Sequence, residues 1–498
     1  MDDDIGRPQS ASVARNTVLA LAVQLLTAAF TAALTLILVR VLDSDGFGIL
    51  VLAVSIGSLL LIPIDFGISH AAARFVAEQR DDREVAPGIV ADALRLKLVA
   101  SGLVSLALLG LAGTIANAYD EPGLAWPLRA VAITVFFQSL FLFATTIFVA
   151  SANIAKNLRL QFCESVVETG ATLVFVLLGG GAAGAAFGRA AGFAAGGLLA
   201  LVVLVRFFGR RVVTAPPDRA RMRRLGGYAG ALTLVDSGFT VFAQMNVLIL
   251  GAFTGSAAVG LFAAPQRLLP FVRLPGESLA NGVAPQLARS PGREPNVGAF
   301  LTALRLLLIV QAFLLAPTLV WSEPIVALLF GAGFEDSADV LRAFAPYVFL
   351  TGFAPLVSVS ANYLGAARKR IPVIVAALGL NLVLVLLLVP RYGATGAAAA
   401  TSASYAFYVP AHLLICRRLL GLELGPLAPT ALRVLAAATA MGLVLAGLGT
   451  QEQPFWRLLA GGLAGAVAFA LVLLALGETS PRELKATIVA FRGRGRRG

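Results

Sequence analysis

The chain has 498 residues, 58% of them hydrophobic and 13% charged, with a mean hydropathy of +0.86. A soluble domain carries about 25% charged residues, so this chain cannot cover itself with a hydrated surface. Its net charge of +12 would point to nucleic acid in a soluble protein. Here the basic residues cluster between apolar runs, where membrane topology accounts for them and no nucleic-acid partner is expected.

The first residues, MDDDIGRPQS, are acidic and short, and the apolar run from Thr17 carries straight on. No cleavable signal peptide is expected. Runs of about 20 apolar residues mark membrane helices, and they recur to residue 476. Reading them against glycine, proline and charge breaks gives fourteen spans: 17–39, 47–70, 88–116, 125–150, 162–179, 182–207, 226–252, 257–286, 297–321, 338–363, 370–389, 393–416, 427–448 and 455–476. The expected fold class is an all-α integral membrane protein. Cys163 and Cys416 are too few for a disulfide framework, and His70 and His412 are isolated, so neither a metal nor another cofactor is expected.

The connections alternate in charge. RFFGRRVVTAPPDRARMRR (206–224) holds seven arginines against one aspartate. Arg289 and Arg293, RKR (368–370), Arg417 with Arg418, and the tail FRGRGRRG fall on the same side. YDEPG (119–123) and the 321–339 segment, poor in Lys and Arg, fall on the other. The positive-inside rule then places both termini in the cytoplasm, which requires an even number of spans.

The chain also repeats itself. Pro63 and Asp65 in IPIDFGIS match Pro275 and Glu277 in LPGESLAN at an offset of 212. Gly48 and Gly260 share that offset, as do GAAGAA (181–186) and GATGAA (393–398); SAN (151–153) and ALRL (93–96) recur at offsets of 209 and 210. Collinear order at nearly constant offset argues for a duplication, with two homologous six-helix bundles in the same orientation. The expected organisation is a cytoplasmic N-terminus (1–16), a first bundle (17–208), a basic linker (209–225), a second bundle (226–417), helices 13 and 14 (427–476) and a basic cytoplasmic tail (477–498). Parallel repeats of this kind are a transporter signature.

The stretch PQRLLPFVRLPGESLANGVAPQLAR (265–289) places charge and proline inside the eighth span. At about 100° per residue, Gln266, Arg273, Glu277 and Asn281 fall within an arc of roughly 80°, with Arg267 beside it. A charge facing lipid at mid-membrane costs at least about 2.5–3.5 kcal/mol, so the stripe is expected to line a water-filled interior. Prolines 265, 270 and 275 favour kinks, tolerable in a helix that lines a cavity. The alternative is an Arg273–Glu277 pair that merely closes on itself, or arginines snorkelling to headgroups. Other polar residues at membrane depth are Asp65, His70, Arg95, Lys97, Glu164, Glu168, Asp236, Gln244, Asn246, Arg305 and Asn381, with Arg15 and Asn16 at the start of the first span. Cationic residues toward the middle suit an anionic ligand, phosphate in particular, because guanidinium offers a bidentate fork.

Residues 15–78 resemble the opening of the polysaccharide flippases of the multidrug/oligosaccharidyl-lipid/polysaccharide exporter (MOP) superfamily, in the positions Arg40, Leu42, Asp45, Phe47, Gly48, Asp65, Gly67 and Arg74. LLFGAGFEDSADVLRAF (328–344) resembles the outer loop between spans 9 and 10 of that group, and GATGAAAATSASY (393–405) its Gly-Ala start of span 12. The resemblance implies a V-shaped pair of six-helix bundles in the inner (plasma) membrane. It implies a flippase that turns a lipid-linked oligosaccharide, usually on undecaprenyl pyrophosphate, to the outer leaflet, alongside membrane lipids and polysaccharide polymerase or assembly partners. On that reading Arg267, Arg273, Gln266 and Asn281 bind the pyrophosphate headgroup. Asp65, Glu277, Asp236 and Arg74 are the candidates for gating or ion coupling.

A drug/cation antiporter of the same superfamily would want acidic and aromatic residues deep in its cavity. A lipid II flippase shares the expected spans and cationic cavity. A membrane glycosyltransferase or polymerase would need a sizeable polar domain with a metal cluster or a nucleophile–base arrangement. The chain offers neither, and a non-enzymatic transporter is expected.

Overall fold

The computed structural model describes residues 30–79, 85–151, 153–288, 294–451 and 453–478, and the side chains of all of these but 228–237 and 239. Arg15, Asn16, the N-terminal segment 1–16, the first half of the first expected span and nearly all of the basic tail lie outside the described residues. Eighteen helices follow in order: α1 (Phe30–Val41), α2 (Ser44–Asp65), α3 (Ile68–Glu78), α4 (Val85–Ala118), α5 (Ala125–Ala150), α6 (Ile154–Phe175), α7 (Gly181–Phe208), the single turn α8 (Arg211–Thr214) and α9 (Arg219–Gln266). Then come α10 (Leu269–Val283), α11 (Val297–Val320), α12 (Ser322–Phe330), α13 (Ser337–Ala343), α14 (Ala345–Thr351), α15 (Phe353–Tyr363), α16 (Ala367–Leu420), α17 (Leu427–Gly447) and α18 (Phe455–Ala475). No strand occurs among the described residues.

Among these residues nine helical stretches are long and apolar enough to cross a membrane, ten if α13 and the α14–α15 stretch, bent by 49°, form one span. The number fourteen is therefore not reproduced helix for helix. One reason is that several stretches are too long for one crossing: 54 residues of helix would run about 80 Å against a hydrocarbon core of about 30 Å. They break at glycines with positive φ: Gly179 (86°) after α6, Gly255 (82°) in α9 and Gly393 (51°) in α16. These positions coincide with the expected boundaries at 179–182, 252–257 and 389–393. Side chains rarely adopt such backbone angles, which is why the breaks fall on glycine.

Across the first break the chain doubles back. A Cβ added to Gly188, Gly192 or Gly196 of α7 would meet Thr172, Glu168 or Glu164 of α6 at 2.3, 2.5 and 2.9 Å. As one number rises by four the other falls by four, which is antiparallel pairing. Glycine every fourth residue lets the two backbones approach closely, the packing that replaces hydrophobic drive in lipid. The outward faces are apolar instead of polar: Leu106, Leu177, Leu387, Leu435 and Leu463 are all exposed, a surface suited to acyl chains.

The chain forms two compact units, residues 1–263 and 264–498. In the first, Phe75, Ala93, Phe143, Ile147, Phe148, Leu160 and Leu204 build a core from α3 to α7. In the second, Ala312, Trp321, Val434, Met441 and Phe469 pack α17 and α18 onto α11, and Trp321 Nε1 donates to the Leu445 carbonyl at 3.0 Å.

Within the first unit the repeat-matched glycines meet. A Cβ on Gly48 would lie 1.8 Å from the Ser256 carbonyl oxygen, and one on Gly260 would lie 1.9 Å from that of Ser44. Ser44 and Ser256 are themselves 212 apart, so α2 and the last part of α9 cross reciprocally, backbone against backbone. The Ser256 hydroxyl bonds both Asp45 and Glu121, and its amide donates to Glu121 at 3.1 Å.

The arginines placed by sequence at membrane depth in spans 3 and 9 turn out to clamp chain connections. Arg95 pairs with buried Asp92 at 3.0 Å and donates to the Ala215 carbonyl, while Arg221 pairs with the same Asp92 at 2.7 Å. Arg305, at the 210 offset, pairs with Glu478 at 2.6 Å, and Arg433 and Thr430 complete that site at 3.0 and 2.8 Å. Burial opposes ionisation of Glu478, but the bonds from Arg305, Arg433 and Thr430 outweigh it and hold the carboxyl below the ordinary range.

Two outcomes follow. Gly260→Val, which drives a side chain into the Ser44 carbonyl, lowers the melting temperature of detergent-purified protein, at a cost of at least about 1–3 kcal/mol; Gly282→Ala, where no atom lies within 4 Å of the added Cβ, leaves it unchanged or slightly raised. Because the folded Glu478 carboxyl lies below its unfolded value of about 4.3, its stabilisation is complete at neutral pH and lost as the pH falls through about 4 and below. Thermal melts of wild type and Glu478→Gln should therefore differ at pH 7 and converge in acid.

Candidate functional site

The last turn of α2 carries Pro63, and the helix closes with Phe66 in the left-handed region (φ 36°) and Gly67 at 74°. This corner presents Asp65 sideways. Lys97 of α4 reaches it at 2.5 Å, and the Ser69 hydroxyl donates to the same oxygen at 2.5 Å. Lys97 is 1% exposed. A lone buried ammonium costs several kcal/mol, so Asp65 is the group that permits Lys97 to sit there. The pair bolts α2 to α4.

The acid 212 residues further on has a different partner. Glu277 on α10 faces Arg273 on its own helix, four residues away, at 3.3 Å, and the two side chains are 37% and 29% exposed. The residue 210 after Lys97 is Leu307, fully buried. Repeat-equivalent carboxylates thus carry a sealed cross-helix lysine in one unit and a half-open same-helix arginine in the other.

The continuous stripe expected over 257–286 is interrupted. α9 ends at Gln266 and α10 begins at Leu269, with Arg267 exposed at the turn between them. An arc counted across that break does not hold for Gln266, which is partly buried. Arg273, Glu277 and Asn281 keep their i, i+4, i+8 alignment within α10, and Asn281 is exposed. Pro265 closes α9, and Pro270 occupies the first turn of α10, where its missing N–H costs little. Gly276 lets α10 touch the chain at Gly352, since a Cβ there would lie 1.8 Å from the Gly352 oxygen, and Gln311 donates to the Val272 carbonyl at 3.1 Å.

Behind Arg273 stands a group that the sequence reading passed over. Tyr405 of α16 lies within electrostatic reach of Arg273 and packs on Tyr347 with ring centres 4.4 Å apart. Tyr408 follows, bonded to Ser358 at 2.9 Å, then His412, stacked 4.2 Å from Tyr408 and bonded to its carbonyl and to Arg370. The signal was present as Tyr405, Tyr408 and His412 at i, i+3, i+7 in an alanine-rich run. Lys97, known as a polar residue at depth, had no partner assigned because α2 and α4 meet only in the fold.

The remaining candidates are dispersed. Arg74 pairs with Glu78 at 2.7 Å on α3, both exposed. Asp236 lies outside the residues whose side chains are described. Glu168 pairs with Arg189 at 2.8 Å, with Glu164 buried beside it. Among the described residues no group of three His, Cys, Asp or Glu side chains could hold a metal.

Comparison with known proteins places this geometry. A family profile described as "Polysaccharide biosynthesis protein" matches residues 13–273. The probable low-salt glycan biosynthesis flippase Agl15 of Haloferax volcanii is 23% identical over 381 residues, 75% of this chain and 77% of the relative. Among solved structures, the lipid II flippase MurJ in an inward closed conformation superposes with a TM-score of 0.72 at 13% identity, over 94% of this chain and 99% of that one. An inward-facing multidrug resistance MATE transporter of the MOP superfamily gives 0.65 at 15% identity, over 81% and 98%. Fold and sequence together define a multi-pass membrane protein whose fold is shared with the MurJ flippase and with MATE transporters of the MOP superfamily. The chain belongs to the polysaccharide biosynthesis protein family.

Breaking the sealed pair is expected to be costly. Lys97→Met or Asp65→Asn alone lowers stability by about 3–5 kcal/mol, whereas the double variant recovers most of the loss. Chemical denaturation of the three proteins in detergent checks this, and additive losses would show that the two residues do not act as a pair.

Proposed function

We propose that this chain is a flippase that carries a lipid-linked oligosaccharide, on a polyprenyl pyrophosphate such as undecaprenyl pyrophosphate, from the inner to the outer leaflet by alternating access. The supporting observation is the half-open Arg273–Glu277 pair on a proline-bounded helix. An ion pair this exposed is worth about 0–1 kcal/mol, so exchanging Glu277 for a pyrophosphate oxygen costs little. The return is a charge-assisted, potentially bidentate bond about twice as strong as a neutral one. Lys97, sealed against Asp65, is not available for such an exchange. The cationic donor is therefore Arg273, with Arg267, Gln266 and Asn281 as the polar surface along which the headgroup moves. The likeness to a glycan biosynthesis flippase over three quarters of the chain supports the same reading.

On this proposal the protein resides in the inner membrane with both termini cytoplasmic. The linker 209–225 joins two homologous bundles, and Glu277 serves as the acidic gate residue, while Asp65, the other gate candidate, is held by Lys97. Asp236 and Arg74 stay assigned to gating or ion coupling. A polysaccharide polymerase or assembly protein would take up the product.

The test is depletion of the protein followed by mass spectrometry of pyrophosphate-linked sugars held on the cytoplasmic face, with wild type, Arg273→Ala and Arg273→Lys restored in parallel. The expected result is a specific oligosaccharide lipid that accumulates, clears with wild type, clears in part with Arg273→Lys and persists with Arg273→Ala. Accumulation of the peptidoglycan precursor instead would make the substrate lipid II. No accumulation, together with greater sensitivity to cationic drugs, would replace the proposal with an antiporter.

A further inference from the structure

The two arms of α16 fold back at Gly393, as Asn381–Ser404 and Arg370–His412 contacts show: one number rises as the other falls. The start and end of this 54-residue element therefore lie at one end of the hairpin. Between them is a cavity of about 420 Å³ lined by Lys369 and Val373 from one arm and by Ala411, Leu414, Ile415, Arg418 and Leu419 from the other. Lys369 and Val373 are i, i+4. Ala411, Leu414, Ile415 and Arg418 are i, i+3, i+4, i+7. Each arm thus brings apolar side chains and one cation to the cavity.

Lys369 and Arg418 are both exposed. Among the described residues neither pairs with a carboxylate, and Arg370 next to them is turned inward to His412 and Asn362. The matching end of the first hairpin is built differently. At the corresponding end of α6 and α7, Lys156 lies over the Phe207 ring at 3.6 Å, and Phe207 packs on Phe208. The residues 212 further on are Leu419 and Leu420, which offer no aromatic face to a cation.

We propose that this cavity is a binding site for an anionic phospholipid of the surrounding bilayer, its phosphate held between Lys369 and Arg418 and the first part of an acyl chain laid against Val373, Ala411 and Leu414. The chemistry fits such an occupant: two cations, neither paired with a carboxylate among the described residues, line one cavity whose other walls are apolar, on a hairpin with exposed leucines. Basic pockets between membrane helices take anionic headgroups in this way. The site is separate from Arg273 and stands whether or not the oligosaccharide-lipid reading holds.

The experiment is native mass spectrometry of the full chain in detergent, titrated with dioleoylphosphatidylglycerol or dioleoylphosphatidylcholine, with inorganic phosphate in a parallel arm. Wild type should retain the phosphatidylglycerol adduct, the choline lipid should bind weakly, and phosphate alone should neither bind nor compete. Lys369→Gln/Arg418→Gln should weaken the adduct about 25-fold, from about 1 kcal/mol per cation at 1.4 kcal/mol per tenfold. Arg368→Gln/Arg417→Gln removes the same charge from the same end without touching the cavity lining and should stay near wild type. Ala411→Trp, which fills the cleft and keeps both cations, should also lose the adduct. Equal weakening by the two charge pairs, retention in Ala411→Trp, or competition by phosphate alone would overturn the proposal. Circular dichroism of each variant separates lost binding from lost fold.

Discussion

The reciprocal contact of Gly48 with Ser256 and of Gly260 with Ser44 is the constraint on which the first unit turns. Two helix starts cross with no side chain between them, and a single methyl on either glycine would occupy a carbonyl oxygen. In lipid, helices gain little from burying apolar area against one another, so close backbone approach and the dispersion contacts it brings carry much of the association. Gly188, Gly192 and Gly196 do the same between α6 and α7. The hydroxyl of Ser256, gripped by Asp45 and Glu121, fixes the crossing where it meets polar surroundings.

Charge in this protein follows a division of labour. Asp92 with Arg95 and Arg221, and Glu478 with Arg305 and Arg433, hold connections and chain ends onto helices. Asp65 with Lys97 bolts two helices together. In each of these the acid is nested between helices or the base is sealed, so breaking one partner leaves a costly orphan. Arg273 with Glu277 differs in that both partners are partly exposed. That difference in exposure separates a structural pair from one able to trade partners with a ligand.

Positions matched in the sequence at offsets near 212 carry different chemistry in the structure. The acid persists as Asp65 and Glu277, but its base moves from a neighbouring helix to the same one, because Leu307 replaces the lysine. Phe207 and Phe208, beside Lys156, are matched by Leu419 and Leu420, and Leu419 lines the cleft at that end of α16.

The sequence by itself determined the membrane class, the helix breaks near Gly179, Gly255 and Gly393, and the polar helix near residue 273. These are set locally, by runs of apolar residues, by glycine and proline at breaks, and by charge at helix ends. Gly179, Gly255 and Gly393 were legible as boundaries because only their missing side chain permits the backbone angles found there. Tertiary structure decided which charges neutralise one another. Lys97 and Asp65 are 32 residues apart, and Arg305 and Glu478 are 173 apart. No periodicity within one helix encodes a partner on another, so pairing, sealing and exposure come only from the packing of the helices.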